Sequence, residues 1–226
     1  MSAPCGHHVS FDGTSPGYRR ALYAVIALNA AMFGVEITAG ALAGSQALRA
    51  DALDFLADAV TYGLSLWVIG RPLALRAKVA LAKGISLLLM GLWVFGSTLW
   101  LVFGPGLPRA EVMGAVGFLA LLANLASVLI LLRYRDGDAN VRSVWLCSRN
   151  DAVGNVAVMG AALAVGLTAT PWPDLLVAGI MSGLFLSSAW QILTRARAEM
   201  KQAAQPGAAH SHDHEHGHDH DHGHAH

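Results

Sequence analysis

Residues 84–108 read GISLLLMGLWVFGSTLWLVFGPGLP, a run without one Asp, Glu, Lys or Arg. A helix rises 1.5 Å per residue, so about 20 such residues cross the roughly 30 Å hydrocarbon layer of a bilayer. A helix at the surface of a soluble domain would instead carry polar residues on its outer face. Three further runs, 112–132, 152–173 and 175–194, are equally free of charge. The chain as a whole is 54% hydrophobic and 13% charged, against roughly a quarter charged in soluble domains. Its apolar surface must face something other than water, and the fold class that follows is an all-α membrane protein.

Working outward from that run, six spans are expected, at about residues 20–43, 49–70, 77–103, 110–132, 140–167 and 174–198. Arg71-Pro72, Gly104-Pro105-Gly106, and Pro171 with Pro173 mark the breaks, because proline removes a helical hydrogen bond and glycine frees the backbone. Basic residues cluster in Arg19–Arg20, Arg71–Lys83, Arg133–Arg142 and Arg195–Lys201, whereas the alternate connections hold Arg49 and Arg109. The excess of Lys and Arg on cytoplasmic loops then predicts a six-helix bundle in the inner (plasma) membrane with both termini cytoplasmic. The first 20 residues contain no apolar core, so no cleaved signal peptide is expected. Residues 1–18 read as a disordered N-terminus, 19–198 as the six-helix transmembrane domain and 199–226 as a disordered His-rich tail.

Several function classes are excluded. Net charge is zero, and no basic stripe with interleaved aromatics marks a nucleic-acid partner. Two cysteines, Cys5 and Cys147, do not make a disulfide framework. No nucleophile–base pair, phosphate-binding glycine loop or His-Glu-xx-His helix points to an enzyme, and no tightly bound cofactor is expected.

Against this apolar background the polar residues stand out. The second span opens with Asp51-Ala-Leu-Asp54-Phe-Leu-Ala-Asp58. Spacings of three, four and seven put the three carboxylates on one helical face. An Asp near the bilayer centre costs at least about 2.5 kcal/mol on insertion scales, and intramembrane acids read as functional by default. Asp51, nearest the span's end, is expected at a hydrated mouth or in a capping role, and is an additional candidate ligand. The fifth span carries Cys147 and Asp151, again four apart, with Arg149 and Asn150 between them. Asp54, Asp58, Cys147 and Asp151 thus offer a four-ligand metal site, two ligands from each helix. Carboxylates with a thiolate suit zinc, and the thiolate favours soft ions such as zinc or cadmium over magnesium or calcium. The bland alternative is a structural ion pair of the acids with Arg149 and a small buried thiol at Cys147. Glu36, alone in the first span, is expected to hydrogen-bond across helices, and Asn29, Asn124 and Asn155 to hold helices together.

After Gln205-Pro206-Gly207 the composition changes to His210, His212, His214, His216, His218, His220, His222, His224 and His226, interleaved with Asp213, Glu215, Asp219 and Asp221. Such a segment has nothing apolar to bury. Imidazoles that are mostly neutral near pH 7 capture divalent ions, here weakly and with fast exchange.

The order of six spans, the Asp51-Ala-Leu-Asp54-xxx-Asp58 segment and the Asn140-Val-Arg142-Ser-Val-Trp-Leu-Cys147-xxx-Asp151 segment resemble the cation diffusion facilitator family over about residues 19–198. In that family the second helix supplies His or Asp four residues before an Asp, which matches Asp54 and Asp58. The fifth supplies His-xxx-Asp, which falls on Cys147 and Asp151. The resemblance implies efflux of zinc or a related divalent ion (cadmium, cobalt) as substrate, exchanged for protons by alternating access. Two departures accompany it. Cys147 stands where the family has His, which bears on metal identity. The family also normally ends in a ferredoxin-like cytoplasmic domain that dimerises and senses metal, while about 28 residues follow the sixth span here. The resemblance is therefore to a short form, in which the tail takes over part of the sensing and a homodimer would form through the membrane helices. The alternative from another class is a non-transporting membrane metal sensor or accessory metal-binding subunit. The partners expected are the lipid bilayer, divalent metal ions and protons, with a homodimer through the membrane helices and no nucleic acid.

Overall fold

The computed structural model describes residues 15–68, 73–104, 106–134 and 139–203. They form six α-helices: α1 (Pro16–Ala43), α2 (Gln46–Val68), α3 (Leu73–Val102), α4 (Ala110–Leu131), α5 (Ala139–Thr168) and α6 (Trp172–Ala203), with one 3-10 turn after α4. Each coincides with an expected span, and most extend beyond it at the ends. Ser15 caps α1 through its hydroxyl, which accepts from Tyr18 N–H at 3.2 Å, so Pro16 occupies the first helical position where no N–H is needed. Pro173 likewise falls inside the first turn of α6 rather than in the preceding turn, for the same reason. The Arg71-Pro72 break, the N-terminal residues 1–14 and the tail from 204 onward, with all nine of its histidines, lie outside the described residues.

Five helices are long and apolar enough to cross a membrane: α1, α3, α4, α5 and α6. The exception, α2, has 23 residues and thus the length. Arg49, Asp51, Asp54 and Asp58 lower its hydropathy. A helix of that kind needs neighbours over its polar face, and the packing supplies them, while Val60 and Trp67 remain exposed on its other side. α1 lies along α2 and α4, α4 lies along α5, and α3 pairs with α6. α2 touches α1, α3, α5 and α6. Large apolar side chains cover the outside of the bundle, as at Trp100, Phe103, Leu129 and Leu163, which is where lipid would be. The multi-pass helical membrane bundle expected from the sequence is therefore the fold observed.

Two local devices fix α2 and α3 in place. α1 ends at Gly44, whose φ of 69° is the left-handed conformation that glycine adopts without cost. The chain then turns straight into α2, and Ser45 caps that helix by accepting from Leu48 N–H at 3.1 Å. The remaining donors of this turn are satisfied from α6. Asp174, 1% exposed, accepts from Ser45 Oγ at 2.6 Å, Gln46 N–H at 2.8 Å and Ala47 N–H at 3.1 Å. One carboxyl group from the start of α6 thus satisfies the open N-terminus of α2. On α3, Gly84 and Gly91 sit two turns apart facing α6. A methyl group on Gly84 would come within 2.8 Å of Leu193 Cδ2, and one on Gly91 within 3.0 Å of Leu186 Cδ2. Small residues here let the two backbones approach closely.

Asp174→Ala strands two backbone donors and a hydroxyl in a buried turn, and is expected to lower stability by about 1–3 kcal/mol. Gly84→Val is expected to cost about 1–3 kcal/mol by overpacking the α3–α6 contact. Thermal unfolding of the detergent-solubilised protein checks both, and an unchanged midpoint in either variant would contradict its structural role.

Candidate metal-cargo site

On α2, Asp54 and Asp58 are one turn apart and face α5, which brings Asp151 to them. The Asp151 carboxyl lies within hydrogen-bonding reach of both. All three are half-buried and line a common cavity of about 410 Å³ walled by α2, α3, α5 and α6. The rest of the lining is mostly apolar, with Met181, Leu184 and Phe185 from α6, while Thr61 and Ser188 add hydroxyl groups. Tyr62, fully buried one turn beyond Asp58, donates its hydroxyl to Asp58 Oδ2. That bond fixes the orientation of the Asp58 carboxyl within the cavity.

Cys147 lies on α5 one helical turn before Asp151; its side chain, like those of Arg149 and Asn150, lies outside the described residues. Among the described residues no three His, Cys, Asp or Glu side chains close into a finished ligand group. The three carboxylates therefore share a cavity without already being drawn around one point.

Lys83 is the residue whose place the sequence did not disclose. It reads there as one of the basic residues flanking a span. In the structure it lies ten residues inside α3, half-buried, on the wall of the carboxylate cavity, where its charge acts on Asp58. The sequence held no signal for this, because the rotation of α3 about its axis is set by its packing on α6 at Gly84.

Asp51 also differs from expectation. It is neither hydrated nor a cap: it is 2% exposed, and the α2 cap is Ser45 with Asp174. Its carboxyl faces that of Glu36 on α1, which is fully buried. Both Glu36 oxygens and Asp51 Oδ2 lack a donor among the described residues. Two ionised carboxylates only accept hydrogen bonds, so neither could satisfy the other in that form. Glu36 thus lies against Asp51 of the neighbouring helix, but neither of its oxygens has a hydrogen-bond partner among the described residues. Asn29 and Asn155 are buried at 1% and 0% exposure, but Asn29 Nδ2 and both amide atoms of Asn155 have no hydrogen-bond partner among the described residues. Asn155 lies one turn from Asp151 on the same face of α5, so the polar face of that helix continues past the cavity.

With this geometry in hand, the chain can be set beside known proteins. The cation efflux transmembrane domain matches residues 22–71 and 75–200. Similar proteins include the metal cation efflux system protein CzcD of Cupriavidus metallidurans, 26% identical over 83% of this chain and 62% of its own length. The zinc transporter ZitB of Escherichia coli is 29% identical over 82% of this chain and 63% of its own. ZitB of Pectobacterium atrosepticum is 27% identical over 80% and 60%. The chain spans about three fifths of the length of these relatives. The matched segments take in all six helices and the Asp54, Asp58 and Asp151 cavity, and this chain belongs to the cation efflux family.

Proposed function

We propose that the chain carries divalent metal ions of the zinc class out of the cytoplasm in exchange for protons, by alternating access. The observation that carries this reading is the convergence of Asp54, Asp58 and Asp151 from two helices on one cavity inside a membrane-spanning bundle. Carboxylates in such a place require a compensating charge, which either protons or a metal ion can supply. Binding a metal to protonated ligands releases the protons, and reprotonation releases the metal, so one set of groups serves both cargoes in turn. The names of the relatives, a metal cation efflux protein and two zinc transporters, support the same cargo class.

In this scheme Asp54, Asp58 and Asp151 supply the oxygen ligands and Cys147 the fourth, with its thiolate favouring zinc and cadmium over harder ions. Both termini face the cytoplasm of a cell whose inner membrane holds the bundle. There the histidines from His210 to His226 gather ions at the entrance.

The test is zinc and cadmium uptake into proteoliposomes under an imposed pH gradient. Wild type is expected to take up metal in proportion to the gradient. Losing one outer-shell partner of a metal site costs about 10–100-fold, so removing a ligand itself, in Asp58→Asn or Asp151→Asn, is expected to cost at least that much in rate. Wild-type rates in either variant would sink the assignment of this cavity. Stoichiometric binding without uptake by the wild type would point instead to a sensor or accessory subunit. Cys147→Ser is expected to depress cadmium uptake more than zinc uptake, because the hydroxyl is the harder ligand; equal effects on both ions would remove Cys147 from the ligand set.

A further inference from the structure

Lys83 has no place in the ligand chemistry, yet it stands inside the cavity that holds the ligands. We propose that its ammonium is a tethered competitor for the cargo. In the metal-free state it neutralises the carboxylates of the cavity, and an incoming divalent ion displaces it. The proposal rests on the reading of Asp54, Asp58 and Asp151 as the cargo site.

Three observations support it. The first is position: Lys83 lines the same cavity as the three carboxylates, and its charge acts on Asp58. The second is the backbone that puts it there. Gly84, next in sequence, has no room for a β-carbon against Leu193 and Ile192 of α6, so α3 is drawn onto the seam where the cavity opens. The third is contrast. Lys78, five residues earlier on the same helix, is exposed and suits the interfacial position where a lysine's long stem lets its ammonium reach water. Lys83, more than a turn deeper and half-buried, lines the cavity that the acids share. An ammonium within a membrane span is unfavourable unless it pairs, and the carboxylates are the partners the cavity provides.

The chemistry sets what such a tether does. Lysine is a compact point charge on a flexible stem, without the rigid fork by which arginine locks onto a carboxylate. It can therefore swing away when a stronger cation arrives. A divalent ion brings twice its charge and coordinates the oxygens directly. A monovalent ion brings no more charge than the tether already supplies, so the cavity discriminates against sodium and potassium without a selectivity filter. On the release side, the returning ammonium helps to eject the metal. The cost of this arrangement is a lower apparent affinity for the cargo.

The experiment measures zinc uptake in proteoliposomes for wild type, Lys83→Gln and Lys83→Arg, with potassium as a competitor. In Lys83→Gln the KM for zinc is expected to fall about tenfold, which corresponds to about 1.4 kcal/mol, while kcat also falls and potassium begins to inhibit. Lys83→Arg keeps the charge and is expected to stay insensitive to potassium. A structural role alone would not improve KM. An unchanged or raised KM in Lys83→Gln overturns the proposal.

A second measurement needs no substitution at the cavity in the protein that is read. The chain has three lysines, Lys78, Lys83 and Lys201, and reductive ¹³C-methylation labels them while keeping their charge. The Lys83 resonance, assigned as the one absent from Lys83→Arg, is expected to move when zinc is added to the wild type. A resonance that stays fixed while zinc binds overturns the proposal. The two readings fail separately. Normal transport by Asp58→Asn removes the cargo site itself, whereas loss of transport in Asp58→Asn with an unaltered KM in Lys83→Gln removes only the tether.

Discussion

Carboxylates on a membrane helix have to be kept from hydrocarbon on every side, and α2 carries three of them over two turns. Much of the architecture answers that constraint. α1 covers one flank and buries Asp51 against Glu36, α5 covers another and adds Asp151, and the α3–α6 pair closes the remainder. The five other helices are apolar enough to face lipid; α2 depends on them. Polarity excluded from the outside of the bundle is gathered inside it, where the carboxylates line a cavity set against a packed apolar core.

The devices that hold α2 also orient the site. Its N-terminus is capped by Ser45 and tied to α6 by Asp174, which fixes both its height and its rotation. At the other end of its acidic face Tyr62 is buried among Tyr18, Leu22, Val25 and Leu131, and holds Asp58 by a hydrogen bond. Asp54 and Asp58 therefore sit on a helix anchored above and below them. α3, which brings Lys83, is held to α6 through the glycine contacts at 84 and 91, so Lys83 and the cavity carboxylates sit on different helices. A relative shift of those helices would alter the distance between ammonium and carboxylate. That gives a route by which the charge in the cavity can be coupled to the conformation of the bundle.

The acidic face of α2 extends beyond the cavity. Asp51 and Glu36 make a second, drier acidic pair on the side toward the α1–α2 turn, and the buried amide of Asn155 lies one turn beyond Asp151 on α5. Polar groups buried without partners are costly, and among the described residues these continue the line of the cavity carboxylates. The path of polarity through the helices is thus longer than the cavity.

The sequence by itself determined the class of the protein, the number of helices and nearly all their limits, because charge-free runs of bilayer length bounded by Pro and Gly leave no other structure for a backbone that must satisfy its own hydrogen bonds. It also determined that Asp54 with Asp58, and Cys147 with Asp151, share helix faces, since a four-residue spacing is a property of the helix alone. Only the tertiary structure decided that α2 faces α5, so that Asp151 meets Asp54 and Asp58. It alone decided that Asp51 is buried against Glu36, that Asp174 caps a helix more than 120 residues away in sequence, and that Lys83 enters the cavity. These depend on the rotation of each helix about its axis and on which helices are neighbours. Uniformly apolar spans carry little record of either, because hydrocarbon and another helix are nearly the same solvent for a leucine.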